Sequence, residues 1–206
     1  MKKEKCKDET KPHVEIVARA KLPTKFGTFT IVAFCNNTDK KEHVALVKGD
    51  VKGKAIVPLR IHSECLTGDA FHSLRCDCNA QLEAALRKIG KLPFGVILYM
   101  RQEGRGIGLT NKIRAYELQD KGMDTVQANE ALGFASDMRD YGVAAEMVRE
   151  LGIKSIALIT NNPDKIMDLV AHGVNVAKRI PHEFGKTVYN KSYLAVKKKK
   201  MHHLLS

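Results

Sequence analysis

The chain predicts a mixed α/β fold, with a β-rich N-terminal part followed by strand–helix alternation in a layered mixed sheet with flanking helices. Three observations carry this. Short runs rich in β-branched and aromatic residues, separated by turn residues, occupy 14–59. Beyond residue 79, apolar stripes at helical spacing alternate with brief continuous apolar runs. The 206 residues are 44% apolar, enough for a packed core, and no apolar run approaches the roughly 20 residues of a membrane span.

In order, residues 1–12 read as a flexible charged start. Strands are expected at 14–18, 28–34 and 43–47, with Asn37-Thr38-Asp39 and Gly49-Asp50 turning between them as in a meander. A strand-like stretch at 55–61 leads into a cysteine-rich loop. Asn79 can then cap a helix whose Leu82, Ala85, Leu86 and Ile89 share one face, with Gly90 and Pro93 to stop it. A buried strand is expected at 94–100, then a glycine-rich loop and a helix near 110–120. Val143, Met147 and Leu151 place a further helix at 141–151, and 155–160 reads as another strand. Asn162-Pro163 supplies an N-cap and a first-turn proline for a last helix reaching about residue 172. No internal repeat or linker is visible. We therefore expect a single catalytic domain over 13–190 and a basic C-terminal tail over 191–206.

Three of the five cysteines, Cys65, Cys76 and Cys78, crowd a short polar stretch. Three thiolates suit a tetrahedral zinc, and three protein ligands with an open fourth position are the pattern of a catalytic zinc that activates water. On a strand, Cys76 and Cys78 would point to one face. The other readings are small buried thiols, as for the isolated Cys6 and Cys35, or a disulfide. His62 or His72 as a fourth ligand would close the site and make it structural.

The net charge of +12 invites a nucleic-acid reading. Six of those charges, Lys186, Lys191 and Lys197 to Lys200, sit in a terminal stretch without an acid, which reads as a solvated segment. With no Trp and scattered Tyr and Phe, there is no basic–aromatic stacking surface. No nucleic acid and no membrane are expected as partners. The first residues lack the apolar core of a secretory signal, and an odd, clustered cysteine set fits a reducing compartment, so the expected location is cytoplasmic.

Two strand-to-helix junctions could take phosphate. Arg101-Gln-Glu-Gly-Arg-Gly-Ile-Gly combines backbone N–H groups with two arginines, against the plain reading of a glycine turn. Thr160-Asn-Asn-Pro-Asp-Lys165 adds a hydroxyl and a lysine, against simple helix capping. The polar stretch 136–141 reads by itself as a solvated turn.

The motifs His62-Ser-Glu-Cys-Leu-Thr-Gly-Asp, Ser73-Leu-Arg-Cys-Asp-Cys, Arg101-Gln-Glu-Gly-Arg-Gly-Ile-Gly-Leu, Asn111-Lys-Ile-Arg-Ala-Tyr, Arg139-Asp and Thr160-Asn-Asn-Pro together resemble GTP cyclohydrolase II, across nearly the whole chain. The resemblance implies hydrolytic opening of the GTP imidazole ring in riboflavin biosynthesis. Formate and diphosphate would leave, giving 2,5-diamino-6-hydroxy-4-(5-phosphoribosylamino)pyrimidine. It implies one Zn²⁺ on Cys65, Cys76 and Cys78, with a water that attacks the purine. Arg139 corresponds to a nucleophile at the α-phosphate, Asp137 to its proton acceptor and Tyr116 to a catalytic tyrosine. GTP-binding positions carry over to Arg60, Ile61, His62, Ser63, Glu64, Gln81, Glu103, Gly104, Arg105, Thr125, Thr160 and Lys165, with Glu103 and Gln81 suited to the purine edge. Mg²⁺ on the triphosphate and a homodimer are implied too. His72 and Asn79 depart from the family, which has glycine at both places; His72 is expected to point away from the metal. The chain is too short to carry also the dihydroxybutanone-phosphate synthase domain fused to some members. The rivals are a relative that opens the ring but retains diphosphate or formate, and a zinc-stabilised RNA-binding module.

Overall fold

A computed structural model describes residues 13–135, 137–190, 193–195, 198 and 204. The expectations for residues 1–12, Cys6, Ser136 and most of the 191–206 tail fall outside these. One seven-stranded sheet organises the chain, in the order β1-β2-β3-β5-β4-β6-β7. β1 (Val14–Thr24), β2 (Gly27–Asn36) and β3 (His43–Lys48) form the expected meander, and β3 runs antiparallel to β5 (Gly95–Met100). From there the sheet is parallel: β5 pairs β4 (Val57–Ser63), β4 pairs β6 (Ile156–Ile159), and β6 pairs β7 (Val176–Ile180).

Period-two alternation gives each face of this sheet its own cover. Val57, Leu59 and Ile61 of β4, Val96, Leu98 and Met100 of β5, and Ile156 and Leu158 of β6 enter the larger core. There they meet Val143, Met147 and Leu151, the stripe carried by α5 (Gly142–Glu150) and its C-cap. The opposite face packs Ile97, Ile159 and Phe29 against Ala85 and Ile89 of α2 (Cys78–Gly90), with Leu82 and Leu86 alongside. The apolar stripes read from sequence thus face the sheet from its two sides.

Several local expectations need correction. Asp77, not Asn79, holds the N-cap position of α2, and Asn79 lies in its first turn. Cys76 sits in a bend and Cys78 opens α2, so no strand presents them together. Cys35 is half-buried and disulfide-bonded rather than a buried thiol. Four elements were not anticipated: the one-turn α1 (Leu66–Asp69), a 3₁₀ turn at Glu103–Gly106, α4 (Thr125–Ala131) and β7. For α4 the signal was present, since Asp124 and Gln127 form a reciprocal capping box. The remaining helices, α3 (Gly108–Asp120) and α6 (Pro163–Ala171), match the expected segments, and Asn162 caps α6 as read. The described part of the tail is not remote: Tyr193 lines the central cavity, and the Leu204 N–H donates to the Asn161 carbonyl at 2.8 Å. No helix among the described residues is long and apolar enough to cross a membrane.

Candidate active site

The C-terminal ends of the parallel strands β4, β5 and β6 deliver Ser63 and Glu64, Arg101, and Thr160 to one edge of the sheet, where ligands bind in α/β folds. The β4 alternation that buries Leu59 and Ile61 turns Arg60 and His62 to the α2 side. A deep cavity opens there. It takes in the cysteine loop, the glycine-rich loop and the start of α6.

Cys65, Cys76 and Cys78 come together with all three Sγ atoms within 4.8 Å of one another. Cys65 immediately precedes α1, whose tight turn leads the chain back to Cys76 and α2. Gly68 on that turn forms the cradle. A Cβ there would lie 2.9 Å from Cys76 Sγ, 2.9 Å from Cys78 Cβ and 3.1 Å from Cys65 Sγ. The donor set and its spacing fit a thiophilic dication, so the trio could hold a metal ion such as zinc. Neither candidate histidine joins it. His62 is bound to Asp69, while His72 is exposed at φ +55°, a left-handed conformation that glycine would adopt without strain. Gly68→Ala should therefore weaken zinc uptake about tenfold or more, with the helical circular-dichroism signal retained; chelator competition measures it.

Lys112 anchors the thiolate side. Its buried ammonium donates to Cys65 Sγ at 3.1 Å and to Glu103 Oε1 at 2.8 Å. Hydrogen bonds from the Cys76 and Cys78 thiols, then Lys112, hold the Cys65 thiol far below its ordinary pKa, while sharing with Cys65 pushes Cys76 up to about 11. Burial opposes the Lys112 charge, but Glu103 and the Cys65 thiolate outweigh it and raise its pKa. Glu103 Oε2 also accepts from the Leu66 N–H at 2.7 Å, and its Oε1 accepts from the Gly104 N–H at 2.8 Å. Both of its oxygens are thus engaged in tying the glycine-rich loop to the cysteine loop. That loop runs through left-handed conformations at Gly104, Arg105 and Gly106 before α3 begins.

A cationic group lines the same cavity. The Arg139 guanidinium donates to Asp137 through Nε at 2.8 Å and through Nη2, and reaches Ser63 Oγ at 3.4 Å. Burial works against the Arg139 charge, yet Tyr141 and Asp137 outweigh it and raise its pKa. For Asp137, burial acts upward, and the Arg139 hydrogen bonds and charge prevail to hold it below the usual carboxylate range. Lys165 Nζ donates to the Ile61 carbonyl at 2.9 Å and lies 5.1 Å from the centre of the Tyr141 ring. Arg60, lowered to about 10 by burial, remains a cation and bonds Gln81 Oε1 at 2.5 Å and the Ile159 carbonyl at 3.0 Å.

Of the sequence-predicted residues, Arg60, His62, Ser63, Glu64, Gln81, Glu103, Gly104, Arg105, Thr125, Thr160, Lys165, Tyr116, Arg139 and the three cysteines all line this cavity. Two do not. Ile61 is buried in the large core and meets the site only through its carbonyl, and Asp137 acts on it through Arg139. Tyr116 places its hydroxyl 3.4 Å from Thr67 Oγ1, with the Arg75 guanidinium 4.9 Å over its ring. Sequence reasoning missed Lys112, Arg75 and His182 as lining residues. Lys112 was findable, because it lies four residues before Tyr116 on one face of α3. His182, lowered to about 4 by burial and then Arg60, had no such signal.

A family model described as GTP cyclohydrolase II matches residues 15–181. The chain is 57% identical over 192 residues to the GTP cyclohydrolase-2 of Tolumonas auensis, covering 93% of this chain and 98% of that protein. With the GTP cyclohydrolase-2 of Aeromonas hydrophila it shares 56% over 191 residues, 93% of this chain and 97% of the relative. Against the riboflavin biosynthesis protein RibBA of Endomicrobium trichonymphae the identity is 53% over 196 residues, 95% of this chain but 49% of that longer protein.

Proposed function

Because the chain belongs to the GTP cyclohydrolase II family, we propose that it opens the imidazole ring of GTP by hydrolysis and releases formate and diphosphate. It is a hydrolase of riboflavin biosynthesis, and 2,5-diamino-6-hydroxy-4-(5-phosphoribosylamino)pyrimidine is the product proposed here. One observation carries the reading: a three-sulfur cluster and a group of buried cations line the same cavity, as a purine attached to a triphosphate requires.

Cys65, Cys76 and Cys78 would hold one Zn²⁺ per chain. When bound, it supplies Lewis-acid activation of water for attack at the purine C8. The chain's own groups do the rest. Lys112 compensates the charge of the Cys65 thiolate in a setting where water cannot. Tyr116, braced by Arg75, is the catalytic tyrosine beside the purine, and Gln81 and Glu103 face its edge. Arg60, His62, Ser63, Glu64, Gly104, Arg105 and Thr125 complete the nucleotide site, with Ile61 contributing through its backbone. Thr160 and Lys165 neutralise the phosphates, together with Mg²⁺.

At the α-phosphate, the family reading has Arg139 attack phosphorus while Asp137 takes its proton; diphosphate leaves, and water later cleaves the N–P bond. The hydrogen bond from Arg139 Nε to Asp137 Oδ1, 2.8 Å long, supports that role. A second reading is favoured by the raised Arg139 pKa: a permanent guanidinium that clamps developing charge on the α-phosphate. We assign the enzyme to the cytoplasm, acting as a homodimer, with one catalytic domain over 13–190.

Incubation with GTP and Mg²⁺ should yield formate, diphosphate and the diaminopyrimidine in equal amounts, identified by mass. Retained diphosphate or formate in the product would reassign the chain to a relative with a truncated reaction. Salt-sensitive RNA binding without turnover would sink the enzyme reading altogether.

A further inference from the structure

We propose that Asp69 is a positioning residue that holds His62 in one tautomer, so that His62 presents a bare acceptor nitrogen to the nucleoside part of the substrate. The inference rests on the GTP reading above and deepens it. Asp69 ends α1 with its side chain 8% exposed. Its carboxylate accepts from the Tyr99 hydroxyl at 2.9 Å, from the Cys65 N–H at 3.1 Å, and from His62 Nε2 at 3.0 and 3.1 Å. Burial outweighs Asp69 and holds the His62 imidazole below its ordinary pKa, so the ring is neutral. Its single proton lies on Nε2 against the accepting carboxylate, and Nδ1 keeps the lone pair. The Tyr99 ring, stacked 5.6 Å away at 24°, fixes the plane of the imidazole.

That lone pair is conspicuous. His62 is 3% exposed and lines the cavity, and its Nδ1 has no hydrogen-bond partner among the described residues. A buried acceptor left bare is costly unless a ligand supplies a donor. A triphosphate offers acceptors to it, not donors. The donors of GTP are the guanine N1–H and 2-amino group and the two ribose hydroxyls. His62 therefore faces the nucleoside, and Asp69 makes it selective for a donor there.

Asp69→Asn in the full chain tests this. The asparagine amide can donate to Nε2, which moves the proton to Nδ1 and sets a donor against the substrate's donor. ¹⁵N-histidine NMR of the zinc-loaded protein should show the His62 ring shifts exchanging between the two nitrogens. With zinc content unchanged, kcat/KM for GTP should fall about tenfold or more. A reversed tautomer with unchanged kcat/KM would overturn the proposal. Asp69 also holds the Cys65 N–H, so zinc loss in that variant would mix two effects; His62→Leu separates them. Wild type should reject one of four analogues (2′-deoxy-GTP, 3′-deoxy-GTP, inosine triphosphate, N1-methyl-GTP) by about tenfold or more, and His62→Leu should erase that one preference. The analogue affected tells base from ribose. Selectivity identical in both proteins would equally overturn the proposal. A wild-type protein that ignores GTP would instead defeat the functional reading, leaving the tautomer, measured without substrate, as assigned.

Discussion

Cys76→Ser should lower zinc affinity by more than the ~10–100-fold that loss of an outer-sphere partner costs, and should leave no measurable formate release from GTP. A serine hydroxyl stays protonated at neutral pH and is a poor ligand for a borderline-soft dication. The site would keep Cys65, already paired with Lys112, and Cys78, two donors where three converge within 4.8 Å. Diphosphate release should persist in part, because the Arg139–Asp137 pair and Lys165 make contacts that involve none of the three cysteines. Zinc per chain, formate and diphosphate measured in the same samples decide the matter. Full formate release from a zinc-free variant would take the metal out of ring opening.

Arg139→Ala should have the opposite profile. Zinc content should match the wild type, while diphosphate release falls about 10²–10³-fold, as when a preorganised donor to developing charge is removed. Asp137, below the usual carboxylate range because of Arg139, would then lie part-buried without its cation and would further repel the triphosphate. Formate release should fall too if ring opening requires prior attachment at phosphorus, and should survive if Arg139 only clamps charge. Rapid-quench mass spectrometry separates the two roles directly, since attack by Arg139 leaves a guanylyl adduct on the wild-type chain. Diphosphate release at the wild-type rate from Arg139→Ala would remove the arginine from both.

These two variants probe residues whose importance was legible to different degrees. Sulfur spacing pointed to metal before any fold was known, because few other uses of three close thiols in a polar stretch exist. Arg139 and Asp137 looked like a solvated turn, and only resemblance to a family singled them out. Their pairing with each other, and with Ser63 from a strand 76 residues away, is a long-range contact that no local pattern encodes. Glu103 shows what a motif leaves out: the glycine-rich loop singled it out, but not that its carboxylate ties that loop to Leu66, Gly104 and Lys112.

Local chemistry was enough to determine most element types, the α/β alternation and the three-sulfur group, and the resemblance of the motifs gave the family. Side-chain periodicity, turn residues and cap residues act within a few positions, so one chain carries them openly. What the tertiary structure alone decided was the order in which strands associate and what that order brings together. β4 inserts between β5 and β6, which sets the carbonyl of Ile61 beside Lys165 and the guanidinium of Arg60 beside the Ile159 carbonyl. Whether His62 or His72 would close the metal site was likewise undecidable from spacing, and it was settled by Asp69, which holds one of them, and by a left-handed turn that exposes the other. Such outcomes depend on competition among buried groups for few partners, which is resolved only when the whole core is packed.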